Sequence, residues 1–224
     1  YAATVVLGAA TVTDDVEGEV ISRGDVSGIT DSQIETELVK MRGTIMQRPS
    51  SVSAVKVDGE RAYDRVRAGE SVELASREVT ISQLDITAIR RIENAIEVDI
   101  EVTCSAGTFI RAIARDCGDA LAVGGHLNAL RRTRVAGFGL DKAISLTSLK
   151  AGEFATLPLV EVARTTFTAR ELALEEVNEL SFGRPLSPNP DEAIYAAISG
   201  QELIALLCNK DALAKPIAVF AAAN

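Results

Sequence analysis

AIEVDIEVTCSAGTFIRAIARDCGDAL, residues 95–121, changes its hydrophobic period halfway along. Ile96, Val98, Ile100, Val102 and Cys104 alternate with Glu97, Asp99, Glu101 and Thr103, the two-residue period of a strand with one buried face and one wet face. After Gly107 the spacing lengthens. Ile110, Ala114, Cys117 and Leu121 fall on one helical stripe, and Thr108 is placed to act as its N-cap. In that frame Arg111 is the third helical residue, where unpaired N–H groups and the helix dipole already make the site partly positive. A cation there asks for an anion. A nearby aspartate or glutamate, a group brought in by a functional site, or plain solvent exposure of the guanidinium all remain open at this point.

Outward from this stretch, Glu93-Asn94 predicts a hairpin back to a strand over Val79 to Ile89, with a slip in register near Gln83. Ala2 to Leu7 reads as a strand, followed by a polar turn rich in threonine and aspartate from Thr11 to Asp15. Thr30 and Gln33 form a capping box ahead of an apolar stripe of Ile34, Leu38 and Met41, with Lys40 and Arg42 in the last turn and Gly43 just past it. Glu60 to Ala68 suggests a short helix closed by Gly69. Strands and helices do not alternate regularly, so the first part is expected to be α+β, with a mixed, largely antiparallel sheet and flanking helices.

The texture changes after Leu157-Pro158. Thr168 and Glu171 suggest a second capping box, with Ala169, Ala173, Val177 and Leu180 on one face. IYAAISGQELIALLC then reads as two strands around Ser199-Gly200-Gln201, and PIAVFAA as a third. The domains are accordingly expected over 1–150 and 151–224, the second a small β-rich unit.

No apolar run is long enough to cross a bilayer, and the first residues lack the basic start of a signal peptide, which points to the cytoplasm. Cys104, Cys117 and Cys208 form no C-x-x-C pair and read as reduced, buried side chains. One histidine, His126, and no Cys/His cluster leave zinc without a ligand set, and His126 reads as a structural residue in a turn. Nucleotide-cradling glycine motifs are missing as well, so the expected chemistry needs neither metal nor cofactor.

Net charge is −9, yet its distribution is uneven. Residues 104–150 hold seven basic and three acidic side chains, and residues 40–67 likewise hold seven and three. Two basic segments on an acidic body suit a groove for a polyanion; two solvated faces would look the same.

Four stretches carry a more specific signal: YAATVVLGAATVTDDVEGEV (1–20), RPSSVSAVKVDGERAYDRVRAG (48–69), CSAGTFIRAIARDCGDAL (104–121) and GGHLNALRRTRVAGF (124–138). In order and separation they resemble the bacterial tRNA pseudouridine-55 synthases, the TruB family, closely over 1–150 and loosely over 151–224, where that family carries a PUA-like RNA-binding domain. The resemblance implies a monomeric enzyme, without cofactor, that flips one uridine out of the tRNA T-loop and rejoins its base through carbon. It implies that Arg111 pairs with a catalytic aspartate and that Tyr1 stacks on the target base and takes part in proton transfer. Leu130 matches an apolar wall of the uracil pocket, and Phe109 stands where many relatives have tyrosine. Lys56, Arg61 and Tyr63 fall in a segment that closes over the T-loop, while Arg131, Arg132 and Arg134 follow the pocket wall. The family's aspartate segment has no counterpart here: Leu84-Asp85 lies in a strand pattern and Leu140-Asp141 after the basic stretch. The chain is therefore expected to be part of a longer protein and inactive alone, with Tyr1 frayed as a terminus. The competing readings are a structured-RNA binder without chemistry and an acidic protein-interaction domain.

Overall fold

A computed structural model describes residues 1–52, 56–57, 60–61, 74–190 and 193–221. The chain divides into two units, Tyr1–Thr133 and Arg134–Asn224. That division falls earlier than the change of sequence texture near residue 150, because the short strand pair Arg134–Val135 and Phe138–Gly139 groups with the later residues.

The first unit is built on five strands: β1 (Ala2–Leu7), β4 (Gly43–Gln47), β7 (Arg77–Ile92), β8 (Ala95–Cys104) and β9 (Gly125–Arg131). Their order is β4-β7-β8-β1-β9, with every neighbour antiparallel. The alternation legible in 95–104 is the register of β8: Ile96, Val98, Ile100 and Val102 are buried, while Glu97, Asp99 and Glu101 face outward. β7 shifts register between Ile81 and Gln83, as its sequence suggests, and again between Ile86 and Ala88. Two smaller pairs complete the unit, β2 (Ala9–Thr11) with β3 (Val20–Arg23), and β5 (Lys56–Val57) with β6 (Glu60–Arg61). Glu60-Arg61 is thus strand, not the start of a helix, and the rest of that expected helix lies outside the described residues.

Helices α1 (Asp31–Val39) and α2 (Ile110–Ala120) supply the other half of the core. In α1 the expected box forms: the Gln33 N–H donates to Thr30 Oγ1 at 3.3 Å, and the Thr30 N–H donates to Gln33 Oε1 at 2.9 Å. Ile34 and Leu38 of α1 and Ile110, Ile113, Ala114 and Cys117 of α2 pack with Val5, Leu7, Ile96, Val98 and Ile100 of the sheet. Burial pushes the Cys117 thiol up to about 12, which makes it an inert packing group.

The second unit contains α3 (Leu146–Ala151), α4 (Leu159–Thr166) and α5 (Leu174–Ser181) beside a sheet ordered β12 (Thr168–Glu171), β13 (Tyr195–Ser199), β14 (Glu202–Lys210) and β15 (Leu213–Val219). β13 is buried on both sides. Tyr195 and Ala197 join Leu180, Ile204 and Leu207, whereas Ala196 and Ile198 join Val160, Ala163 and Leu203. This accounts for its unbroken apolar run. Thr168 and Glu171 do not cap a helix. They lie in β12, whose backbone groups are satisfied by parallel pairing with β13, and α5 starts after Ala173, whose N–H donates to Glu176 Oε2. Among the described residues, no helix is long and apolar enough to cross a membrane.

Helix α2 sits unusually close to β9. A Cβ on Gly118 would lie 2.1 Å from the Gly125 nitrogen, and one on Gly125 would lie 2.2 Å from the Ala114 oxygen. Both contacts are with backbone, which cannot swing aside. Gly118→Ala should therefore cost about 3 kcal/mol of stability or more, whereas Gly28→Ala, with nothing within 4 Å of the new methyl, should change it by less than about 0.5 kcal/mol. Urea unfolding of the two variants, compared at equal m-value, checks the difference.

Candidate active site

Helix α2 begins one residue later than the sequence suggests. Phe109 is its N-cap and has no side-chain acceptor to offer. Thr108 instead closes the preceding turn, donating from Oγ1 to the Ser105 oxygen at 2.9 Å, with Gly107 at φ +84°. The capping falls to Gln47, at the end of β4. Its buried amide accepts from the Phe109 N–H at 2.8 Å and donates to the Phe109 oxygen at 3.1 Å. Nothing in the local sequence marks Gln47 as a cap, since it lies 62 residues away.

Arg111 is then the second helical residue. Its Nη1 donates to the Thr13 oxygen and to Asp15 Oδ2, each at 2.8 Å, and its Nη2 donates to the Val52 oxygen at 2.7 Å. Of the anions the sequence leaves open, the structure thus places a local one, Asp15, on Arg111. The contact is single-point, and both side chains stay about a quarter exposed, at 23% and 25%. Of the five guanidinium N–H groups, three are used, so Nε–H and one hydrogen on Nη2 have no partner among the described residues.

The polar turn from Thr11 to Gly18 is rigidly bonded. Asp15 Oδ1 accepts from Thr13 Oγ1 at 2.6 Å and from the Glu17 N–H at 3.1 Å. Leu127 of β9 donates its N–H to the Asp14 oxygen and accepts from the Val16 N–H. Asp14 itself adopts φ +59°, a left-handed conformation that aspartate tolerates better than most residues. Its buried carboxylate meets Arg115, one turn beyond Arg111, at 3.1 Å. Asp14, Asp15, Gln47 and Arg115 were not among the residues that sequence reasoning singled out. The only signal for them was the Asp-Asp pair in a turn and the four-residue spacing of the two arginines.

Tyr1 is not frayed. Its nitrogen donates to the Val102 oxygen at 2.8 Å and its oxygen accepts from the Val102 N–H, also at 2.8 Å, so it extends β1. Its ring packs against the core on the α2 side of the sheet. Leu130 pairs with Ala3 and so shares that face, where it is half exposed. The Arg132 guanidinium lies over the Tyr1 ring, 5.5 Å from its centroid. Arg131 pairs with Ala2, so strand alternation sends it to the opposite face, beside Asp99 and Glu101. The structure therefore groups Tyr1, Leu130 and Arg132 and separates Arg131 from them. Phe109 is half-buried beneath the Arg77 guanidinium, 5.6 Å from the ring centroid. The backbones of Lys56 and Arg61 are paired in the β5–β6 ladder, Tyr63 lies outside the described residues, and Arg134 donates to the Ala136 oxygen two residues on. His126 is buried with Nδ1 2.9 Å from the Ala9 oxygen, a structural contact.

Family models match in three consecutive stretches: TruB family pseudouridylate synthase (N terminal domain) over 1–110, tRNA pseudouridylate synthase B C-terminal domain over 111–157, and tRNA Pseudouridine synthase II, C terminal, over 167–221. The tRNA pseudouridine synthase B of Mycobacteroides abscessus is 50% identical, with 100% of this chain and 76% of that protein covered. Its counterpart from Arthrobacter sp. is 46% identical, covering 100% and 77%. Among solved structures, a Cbf5-Nop10-Gar1 complex aligns with a TM-score of 0.59 at 19% identity, and an H/ACA RNP bound to a substrate RNA containing 2'-deoxyuridine with 0.61 at 18%. Each alignment covers 98% of this chain and 66% of the other, just under two thirds, and at such identities the likeness is one of fold.

The two-point clamp of Gln47 on Phe109 has a direct consequence for stability. Gln47→Leu would fill the space but strand the Phe109 N–H, while the Phe109 oxygen keeps the Ala112 N–H, and should cost about 1–3 kcal/mol. Gln47→Glu, which keeps the acceptor and loses the donor, should fall between wild type and Gln47→Leu in thermal unfolding.

Proposed function

The chain belongs to the TruB family of pseudouridylate synthases, and we propose that it is the part of a tRNA pseudouridine-55 synthase that grips the T-loop and holds the active-site arginine. The catalytic aspartate, in this reading, lies outside these 224 residues. The observation that carries the proposal is the half-used guanidinium of Arg111. It is held in place by Thr13, Asp15 and Val52, yet among the described residues Nε–H and one Nη2 hydrogen have no partner and are open to a second carboxylate in two-point geometry. The first turn of α2 adds positive potential at the same spot.

The reaction needs little else from this chain. The target uridine leaves the folded loop at a cost of about a few kcal/mol. With the carboxylate ionised and oriented by Arg111, the N1–C1′ bond breaks, the uracil turns, and C5 bonds to C1′. The proton then lost from C5 balances the one gained at N1, so no redox step or cofactor enters. Tyr1 supplies a ring to stack on the extruded base and Leu130 an apolar wall beside it. Arg132, Lys56, Arg61 and Tyr63 would meet phosphates, which position RNA without reading its sequence, while specificity comes from the shape of the folded loop. The small β unit after residue 150 is the candidate for a further RNA grip.

Two measurements test the reading. Residues 1–224 alone should form no pseudouridine in a T-stem-loop, whereas the full-length protein should. In the latter, Arg111→Ala should lower single-turnover rates by about 100-fold or more, the scale expected for removing one partner of a partly buried ion pair, and Arg111→Lys should recover little. Turnover by 1–224 would refute the outside aspartate. RNA binding without turnover by the full-length protein would make it a structured-RNA binder instead.

The separation of Arg131 from Arg132 gives a second test. Arg132→Ala should flatten the log–log salt dependence of RNA affinity by about 0.7–0.9, to a similar extent for different T-loop sequences. Arg131→Ala should leave the slope unchanged, since Arg131 faces carboxylates on the other side of the sheet. Titration with a T-loop hairpin that resists turnover measures both.

A further inference from the structure

We propose that Arg115 is a positioning residue that sets the place in which Arg111 works; this rests on the reading of Arg111 given above. The two arginines stand one turn apart on α2 and read the same two strips of chain, with opposite degrees of completion. Arg111 reaches Thr13, Asp15 and Val52 and keeps donors in reserve. Arg115 reaches Asp14 at 3.1 Å, the Arg48 oxygen at 2.7 Å and Asp116 Oδ1 at 2.8 Å, and also faces the Pro49 oxygen at 3.5 Å. It is only 8% exposed. A guanidinium so buried and so fully engaged has nothing left for a substrate. What it can do is hold other groups.

The groups it holds are those that hold Arg111. Asp14 lies directly between Thr13 and Asp15 in the turn, in a left-handed conformation that the Arg115 contact pins from the side. Arg48 and Pro49 directly follow Gln47, the cap of α2, and lead to Val52, the third acceptor of Arg111. Losing the Arg115 fork would remove a side-chain tie from both strips at once, and each strip carries acceptors that align Arg111. The Asp116 carboxyl beside it is raised above the usual carboxylate range by burial, with Arg115 drawing it the other way. Arg115 therefore aligns the active-site arginine from behind.

The test uses the full-length protein with Arg115→Lys, Asp14→Asn, their double variant, and Arg111→Lys as a reference. Three quantities are read for each: thermal midpoint, affinity for a T-loop hairpin that resists turnover, and single-turnover rate at saturating RNA per folded enzyme. The expectation for Arg115→Lys and Asp14→Asn is a rate about 10- to 100-fold lower, the scale of a small misplacement of reacting groups, with hairpin affinity within about threefold. The double variant should be about as slow as the slower single one, because both act through one contact. Asp14→Asn keeps the size and left-handed tolerance of aspartate, so it carries the test if Arg115→Lys does not fold. Folded variants that only melt earlier, at wild-type rate, would overturn the inference and leave Arg115 a stabilising residue. A loss confined to affinity would overturn it too. If Arg111→Lys itself turns over normally, the reading of Arg111 fails and this inference falls with it; if Arg111→Lys is inactive and Arg115→Lys is not, only this inference falls.

Discussion

The backbone contact between Gly118 and Gly125 governs the rest of the first unit. No side chain separates α2 from β9 there, so the two backbones meet directly. The Gly118 oxygen also accepts from the Val123 and Gly124 N–H groups, and Gly124 in turn accepts from Gly8. That chain of bonds ties the C-terminal end of α2, the start of β9 and the end of β1 into one node. With its far end fixed, α2 can only present its first turns over the polar turn at 11–18, and both arginines follow from that.

At the other end of α2 the bonding is polar. Arginines in the first two turns run against the helix dipole, and the structure answers with carboxylates and carbonyls drawn from two separate strips. Asp15 serves Arg111 and Asp14 serves Arg115. The pairs differ in burial: the first stays partly exposed and keeps spare donors among the described residues, the second is closed off. A buried pair contributes little net stability once desolvation is counted, yet leaving either partner alone is costly. Such a pair is better understood as fixing geometry than as adding stability, and what it fixes here is the turn that carries Asp15.

How much of this was legible in the sequence depends on the range of the interaction. β8, α1 and the two strands around Gly200 could be read because period, cap and turn residues are local. The Thr168–Glu171 stretch misled for the same reason: threonine and glutamate at capping distance look alike in a helix and in a strand, and only β13, some 25 residues on, decides which backbone bonds form. The cap of α2 was hidden because Gln47 reaches it from another strand. The family resemblance marked Tyr1, Arg111 and Leu130, but residue type alone could not tell that Arg131 and Arg132, adjacent in sequence, part to opposite faces. Strand alternation decides that.

The same alternation reconciles an acidic chain with a polyanionic partner. Glu97, Asp99 and Glu101 all point to the face of the sheet away from α2, where Arg90 bonds both Glu97 and Asp99. That contact, with Thr4 beside it, holds the Asp99 carboxyl below the usual carboxylate range. The opposite face carries Tyr1, Leu130 and Arg132, with Arg111 at the helix start. Exposed charges more than about 8–10 Å apart are largely screened at physiological salt. An RNA phosphate on the Arg132 side would thus feel the nearby guanidinium far more than the carboxylates behind the sheet. The net charge of −9 is a sum over the whole chain, the second unit included, and it says little about the local field on the Arg132 side of this sheet.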